Sequence, residues 1–367
     1  MWVPKTDQIV FRSDRNGKLG MWLVRFKDGQ SMGEPRLIKP DAGDFRPEGV
    51  SQDGSVFYRL ENRATDVYQA IVDPQTLRVQ GTPARVVDSY LGRNLLPVWS
   101  PSGDSFAYYS ERDIGGDFRP VIRSSSGNEV MARGISVRNR TSFPNTPLRW
   151  CSDGGSLALL EGLRFRIFDS RTGDAKHPDR FLFRPPDAGV VAVESAVGPD
   201  CESVFAWVFQ PGGERRKFGR YEVATGKETE LLSDSGGAGV YSSAVSPDGR
   251  WFAFREALGG DKRTRIALLP TTGGPSRTLA TGDLVRLSWT PDSKRLIFSQ
   301  LYTSPDGQRG SEMFWVSVDG GVPQSTGIRV PDPLAPAPSL HPDGKRLLYS
   351  FTETSSELWV VRNLVTK

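Results

Sequence analysis

The sequence predicts an all-β chain assembled from repeated antiparallel units, and three observations carry that prediction. First, a turn motif recurs: "AVSPDGRWFAFRE" at 244–256 has counterparts in "VWSPSGDSFAYYS", "LSWTPDSKRLIFSQ" and "SLHPDGKRLLYSF". Second, the motif is periodic. Aligned on its Pro slot, the starts fall at Pro4, Gln52, Pro101, Ser152, Pro199, Pro247, Pro291 and Pro342, at intervals of 44 to 51 residues. A self-similar period of that size belongs to solenoids, propellers and other arrays. Third, the segments between turns are short and alternate apolar with polar residues, and no 3.6-residue helical pattern of any length interrupts them.

Each unit reads in the same order. A short apolar strand comes first and ends in Trp, Val or Leu, as at Trp99, Trp150, Val245, Trp289 and Leu340. The Pro-Asp-Gly turn follows: Pro presets φ, Asp tolerates the bridge region and Gly accepts positive φ, which is the chemistry of a type I turn closed by a left-handed residue. An alternating second strand ("RWFAFRE", "KRLIFSQ", "DSFAYYS"), a third ("MFWVSVDGG", "RIALLPTTGG") and a weak fourth ("PSRTLA", "ETELLS") complete the unit. Four short antiparallel strands in about 45 residues make one blade of a β-propeller. The repeats are expected to form a single domain over 1–367, with units starting near 1, 48, 97, 148, 195, 243, 287 and 338. Eight blades are preferred over seven, because seven would leave two segments without partners. The last unit stops after its third strand, so its fourth is expected from residues ahead of Met1, with the chain then the C-terminal portion of a longer multidomain protein or one whose true start lies upstream; the alternative is an eighth blade of three strands.

These units resemble the TolB-type, WD-like "PD" repeats of bacterial β-propellers. "IVFRSDRNGKLGMWLV", "AVSPDGRWFAF" and "SLHPDGKRLLYSF…ELWVVRNL" carry the resemblance, which covers essentially the whole chain. The last stretch is similar to the C-terminal blade of propellers that bacteria attach to winged-helix regulators or Ser/Thr kinases. Gln52, Ser102, Ser152, Cys201 and Ser293 depart from the turn motif without disturbing the period. The "GH…WD" signature of WD repeats and the spacing of the sialidase Asp-box are both missing.

Composition bounds the function classes. With 37% hydrophobic and 10% aromatic residues, the 367-residue chain can bury a core. The 39 Gly and 27 Pro are spread along it, as many turns require. No run of about 18 apolar residues exists, so no membrane insertion is expected. "MWVPKTDQIVF" lacks a signal-peptide pattern, which leaves the compartment open: cytoplasmic as it stands, periplasmic with an upstream signal or span. The net charge is +4, and the basic clusters "GERRKFGR" and "RGISVRNRTS" read as solvated loops, so no nucleic-acid partner is expected. Cys151 and Cys201 sit at corresponding turns of neighbouring repeats and are read as buried or idle thiols, with a disulfide as the second option.

Candidate chemistry is sparse. The two histidines, His177 in a polar loop and His341 in a turn slot, are too few and too distant to build a metal site, and no cofactor fingerprint occurs. "GVSQD" and "GGSLA" both fail the nucleophile-elbow pattern. Asp53, Asp153, Asp200, Asp248, Asp292 and Asp343, with Gly249 and Gly344, are read as structural turn residues, because Asp bonds its own turn backbone. Recognition is therefore expected at the opposite end of the blades, in loops such as "DAGDFRPEG", "DSYLGRNLLP" and "VRNRTSFPNTP". Arg46, Arg93, Asn94, Arg140, Tyr241 and Arg286 are candidate channel-mouth residues, with Phe45 and Phe143 as apolar anchors. The expected role is a non-catalytic binding or sensor module for a protein, a peptide or a small ligand; in TolB-like proteins this face receives an extended peptide. The alternatives are the propeller of a prolyl-oligopeptidase-like serine hydrolase, separated from its catalytic domain, and a scaffold without a specific ligand.

Overall fold

A computed structural model describes residues 1–17, 19–40, 45–87, 93–112, 117–137, 148–161, 164–181, 191–209, 216–234, 239–258, 263–331 and 337–362. All regular structure among them is β, so the all-β expectation holds. Contacts divide the chain into two compact units: Met1–Ala64 with Glu353–Lys367, and Thr65–Thr352.

In the first unit, β1 (Gln8–Ser13), β2 (Gly20–Lys27) and β3 (Gln30–Lys39) form an antiparallel sheet. Beyond it, β4 (Phe45–Val50) pairs with the start of β5 (Val56–Val72). Val3, Val10, Met21, Leu23, Phe45, Val56 and Tyr58 make its core.

The second unit begins within β5 and continues through β6 (Val79–Arg85). Five four-stranded antiparallel runs follow in sequence order. The first is β7 (Arg93–Trp99), β8 (Ser105–Glu111), β9 (Phe118–Ser124) and β10 (Glu129–Met131). The second is β11 (Arg149–Trp150), β12 (Ser156–Glu161), β13 (Arg164–Asp169) and β14 (Arg180–Phe181). The third is β15 (Val191–Val197), β16 (Ser203–Phe209), β17 (Arg216–Glu222) and β18 (Glu228–Asp234). The fourth is β19 (Val240–Val245), β20 (Trp251–Ala257), β21 (Thr264–Pro270) and β22 (Arg277–Gly282). The fifth is β23 (Leu284–Trp289), β24 (Arg295–Thr303), β25 (Arg309–Ser317) and β26 (Gln324–Val330). Then β27 (Ser339–Leu340) and β28 (Arg346–Val361) return to β5, giving the strand order β27-β28-β5-β6. The Val72 amide donates to the Lys345 carbonyl at 2.9 Å, and the Thr65 and Thr352 hydroxyls lie 3.0 Å apart.

Apolar layers join each run to the next. Leu95, Tyr109 and Phe118 pack with Trp150, Leu157 and Phe168, and Phe205 and Phe218 pack with Phe252 and Phe254. Leu268 and Leu284 share a core with Phe298, and Ile297 and Met313 share one with Ala70, Leu340 and Tyr349. A last layer brings Val67 and Leu348 against Phe106 and Tyr108 of the first run. Each sheet thus buries both faces, which period-2 patterning on a mostly apolar strand requires.

Two strands run through a connection that reverses in other repeats, and the reason is local. Where a repeat should turn from its second to its third strand, β5 and β28 run straight on. The sequence there reads "ENRA" at 61–64 and "ETSS" at 353–356, without Gly or Pro, whereas "DIGGD", "QPGGE", "LGGDK" and "SPDGQ" occupy the same connection in other repeats. Nothing in the first two compels reversal, so the strand continues.

The turns themselves follow the expected chemistry. The amide of the closing slot donates to the carbonyl three residues back at Gly54, Gly103, Gly154, Cys201, Gly249, Ser293 and Gly344, over 2.9 to 3.1 Å. Their φ values, 58° to 81°, are all left-handed. The Asp carboxylates accept from the amide two residues on: Asp53 from Ser55, Asp153 from Gly155, Asp248 from Arg250, Asp292 from Lys294 and Asp343 from Lys345.

Cys151 and Cys201 correct the sequence reading. They are not thiols but a disulfide, with Cα atoms 5.4 Å apart, across the second and third runs. The Ser152 amide donates to the Pro199 carbonyl at 2.7 Å, so the two turns already touch. The period that aligns the turns also brings their sulfurs within bonding reach.

Candidate functional site

The leading strands of four runs carry irregularities near their starts. Register against the second strand shifts between Leu95 and Val98, Ala192 and Glu194, Tyr241 and Ser243, and Leu284 and Leu287. An extra residue in one strand bends it and re-aims side chains. Leu96 and Ser242, at φ 55° and 48°, hold the left-handed conformation that non-glycine residues adopt at a cost of about 1–3 kcal/mol.

The last three of these bulges gather one polar cluster. The Ser243 amide and hydroxyl donate to Glu194 Oε1 at 3.0 and 3.1 Å, and the Leu287 amide donates to the Ser242 hydroxyl at 3.2 Å. Burial pushes the Glu194 carboxyl up, against the pull of its Ser243 bonds and of the Arg286 charge. Arg286 is pulled down by burial and lifted by Glu194. Arg255 is also lowered, by burial first and then by the like charge of Arg286. Its Nη1 donates to the Leu284 carbonyl at 2.6 Å, and its guanidinium stands 4.8 Å from the centre of the Tyr241 ring. Tyr241 itself is 46% exposed. Two partly desolvated cations beside an exposed phenol form a surface suited to carboxylate and aromatic groups.

The remaining sequence candidates fall elsewhere. Asn94 is fully buried, donating to Asp66 Oδ1 at 2.6 Å and accepting from the Ser110 hydroxyl at 2.8 Å. Arg93 pairs with Glu111 at 3.1 Å and stands over Phe118 at 5.0 Å, so it is tied to its own sheet. Phe45 corrects the expectation of an apolar anchor. It is fully buried, edge-on to Tyr58 at 5.6 Å in the core of the first unit, because the alternation of β4 points it inward. Arg46, its neighbour, is exposed in the same unit, opposite Arg59 in the strand register. Arg140 and Phe143 lie outside the described residues. Of the candidates, the structure brings together Tyr241 and Arg286, and adds Glu194, Ser243 and Arg255. Glu194 left one trace in the sequence, an acid inside the apolar run "VVAVESAV".

A second feature lies at the turn end. The ends of β7, β11, β15, β19, β23 and β27 surround a cavity of about 360 Å³. Its rim consists of the Pro-slot residues Pro101, Ser152, Pro199, Pro247, Pro291 and Pro342. Between the strands, the Trp150 and Trp289 indoles donate to the Val98 and Ala244 carbonyls of the preceding run at 3.1 and 3.0 Å. His341 serves its turn: the Asp343 amide donates to Nδ1 at 2.9 Å, Nε2 lies 2.9 Å from the Gly103 carbonyl, and Trp99 meets the ring edge-on at 4.6 Å. His177 is exposed.

No sequence-family model matches the chain, and no curated protein does. Solved structures do. A putative TolB from Agrobacterium tumefaciens superposes with a TM-score of 0.54 at 15% identity, covering 80% of this chain and 99% of that one. TolB from Acinetobacter baumannii gives 0.49 at 14% identity, over 93% of this chain and 78% of that one. The tricorn protease gives 0.45 at 11% identity, over 99% of this chain and 44% of that one. At such identities a likeness shows the fold alone. Among the described residues no helix is long and apolar enough to cross a membrane. With its four-stranded antiparallel sheets, this chain is a β-propeller that resembles TolB.

Proposed function

We propose that the chain is a non-catalytic binding propeller whose second unit recognises a protein segment or small ligand through the Tyr241–Arg255–Arg286–Glu194 cluster. One observation carries this reading: bulges on adjacent leading strands bring two partly buried cations and an exposed aromatic ring to one place, while one of those strand starts, at Ser242, holds an unfavourable backbone conformation. Strain of that kind persists where the surrounding structure over-determines it and clusters at ligand sites. We also infer that this unit has six blades. Its apolar layers close cyclically, six leading strands surround one cavity, and the closing blade is built from β27, β28, β5 and β6. The disulfide supports residence in an oxidising compartment.

Selection from a random-peptide display library against the immobilised full chain tests the site. Selected peptides are expected to carry an acidic residue beside an aromatic one. Tyr241→Ala and Arg255→Ala should weaken their binding by roughly tenfold or more each, as loss of an anchor does. Unchanged affinity in a double variant that keeps the wild-type melting temperature overturns the assignment.

A further inference from the structure

The turn-end cavity is lined by one cation, and among the described residues its Nε finds no partner. Arg149 is the one charged residue among those lining it. Its Nε is closed off from solvent and has no hydrogen-bond partner, while the side chain as a whole is half-buried. Burial pulls it down to about 10. The acid whose charge acts on it, Asp200, is already engaged by the Glu202 amide at 3.0 Å and the Ser203 hydroxyl at 3.3 Å. A half-buried guanidinium in an apolar wall attracts an anion more strongly than one in bulk water does.

Two further donors in the same wall are also orphaned. Ser288 Oγ and Trp99 Nε1 are buried without partners, although the repeat-equivalent indoles of Trp150 and Trp289 each reach a neighbouring carbonyl. Valine, leucine, alanine and proline side chains make up much of the remaining wall. A concave, mostly apolar space with a few convergent polar groups is the usual form of a small-molecule site, and 360 Å³ lies within the range such sites occupy. The proline rim fixes its shape before anything binds.

We propose that this cavity binds an organic carboxylate with an aromatic or aliphatic body, the carboxylate pairing with Arg149 and the body lying among the tryptophans. Arg149 offers the planar fork that matches a carboxylate bidentately. The carboxylate belongs either to a free small acid or to the C-terminus of a peptide. Ser243 and Leu287 line the cavity and also bond within the Tyr241 cluster, but neither Arg149 nor the tryptophans belong to that cluster, so the two sites are tested by different variants.

The test uses the full chain at low chloride. Benzoate and its uncharged isostere benzamide are titrated by calorimetry and tryptophan fluorescence, alongside Gly-Gly-Phe with a free and with an amidated C-terminus. Benzoate is expected to bind with a dissociation constant of about 1 mM or tighter, a value reasonable for so small a ligand, and at least tenfold better than benzamide. Preference for benzoate identifies a free acid as the ligand, and preference for the free-carboxylate tripeptide identifies a chain end. Arg149→Met should abolish the preference while the unliganded melting temperature stays at or above that of wild type, since a half-buried cation in an apolar wall is replaced by an apolar side chain of similar length. Arg149→Lys should retain part of it. Equal binding of charged and uncharged probes, absence of binding by both acids, or a melting temperature lowered by Arg149→Met would each overturn the proposal.

Discussion

A Cβ at Gly103 would lie 2.2 Å from Nε2 of His341, at a backbone φ of 77°. At Gly249 the φ is 74°, but the nearest atom would be Pro199 Cγ at an ordinary 3.4 Å. The two positions share a motif slot and differ in surroundings, which separates backbone strain from collision. Gly249→Ala is expected to lower stability by about 1–2 kcal/mol, the penalty of a left-handed non-glycine residue. Gly103→Ala should cost about 3 kcal/mol or more, because His341 must also leave the Gly103 carbonyl and the Trp99 ring. Urea titration of both variants measures the difference. The slot was legible in the sequence because turn chemistry is local: Asp248 and Gly249 determine their turn almost alone. The fates of Phe45 and Asn94 were not legible, since a partner such as Tyr58 or Asp66 is set by strand register. Arg255 escaped notice for the same reason, its neighbours Tyr241 and Arg286 lying on other strands.

Between elements, the Cys151–Cys201 bond ties two adjacent sheets across a sequence separation of 50 residues. Closing a loop of that size removes enough unfolded-chain entropy to stabilise the fold by about 4 kcal/mol in the chain-entropy model, within a usual range of about 2–5 kcal/mol. The Cys151→Ser, Cys201→Ser double variant should lose about that much, read from its denaturation midpoint, and should be indifferent to dithiothreitol where the wild type is not. An unchanged midpoint would show that the neighbouring sheets are already fixed by their apolar layer, Ala158, Leu160 and Val197. The strands themselves were well forecast by alternation and by the Pro-Asp-Gly signal. Their connections were less so. Length and apolar pattern made 56–72 and 346–361 look like pairs of strands, and only the missing Gly and Pro at 61–64 and 353–356 distinguish them. The absence of a turn signal is weaker information than its presence, since a neighbouring sheet decides whether the chain reverses.

For the whole molecule, the repeated aspartates act together. The carboxyls of Asp153, Asp248, Asp292 and Asp343 are each held below the ordinary value, with hydrogen bonds from their own turns outweighing the cost of partial burial. A carboxyl depressed in the folded state contributes stability that is complete above its unfolded pKa, about 4, and is lost as pH falls through the folded value. Glu194, raised by burial, has the opposite sign: its contribution is complete below the unfolded value and is lost as pH rises through the folded one. Unfolding free energy should therefore fall steeply below about pH 4, and above the ordinary carboxyl range it should decline as the raised Glu194 carboxyl ionises. Asp248→Asn with Asp292→Asn should flatten that acid limb, as denaturant midpoints across the pH series would show. The repeat period revealed that the architecture is an array; how the array closes was hidden, because closure is a property of distant partners. In the second unit, residues 65–85 and 339–352 share one sheet. On the ribosome, the early half of that sheet must wait for the late half, on the order of tens of seconds at ordinary elongation rates. Throughout that interval β5 presents an unsatisfied edge to every nascent neighbour on the same messenger. The biogenesis of this protein is therefore governed less by how quickly its blades form than by what shields one strand until its partner emerges.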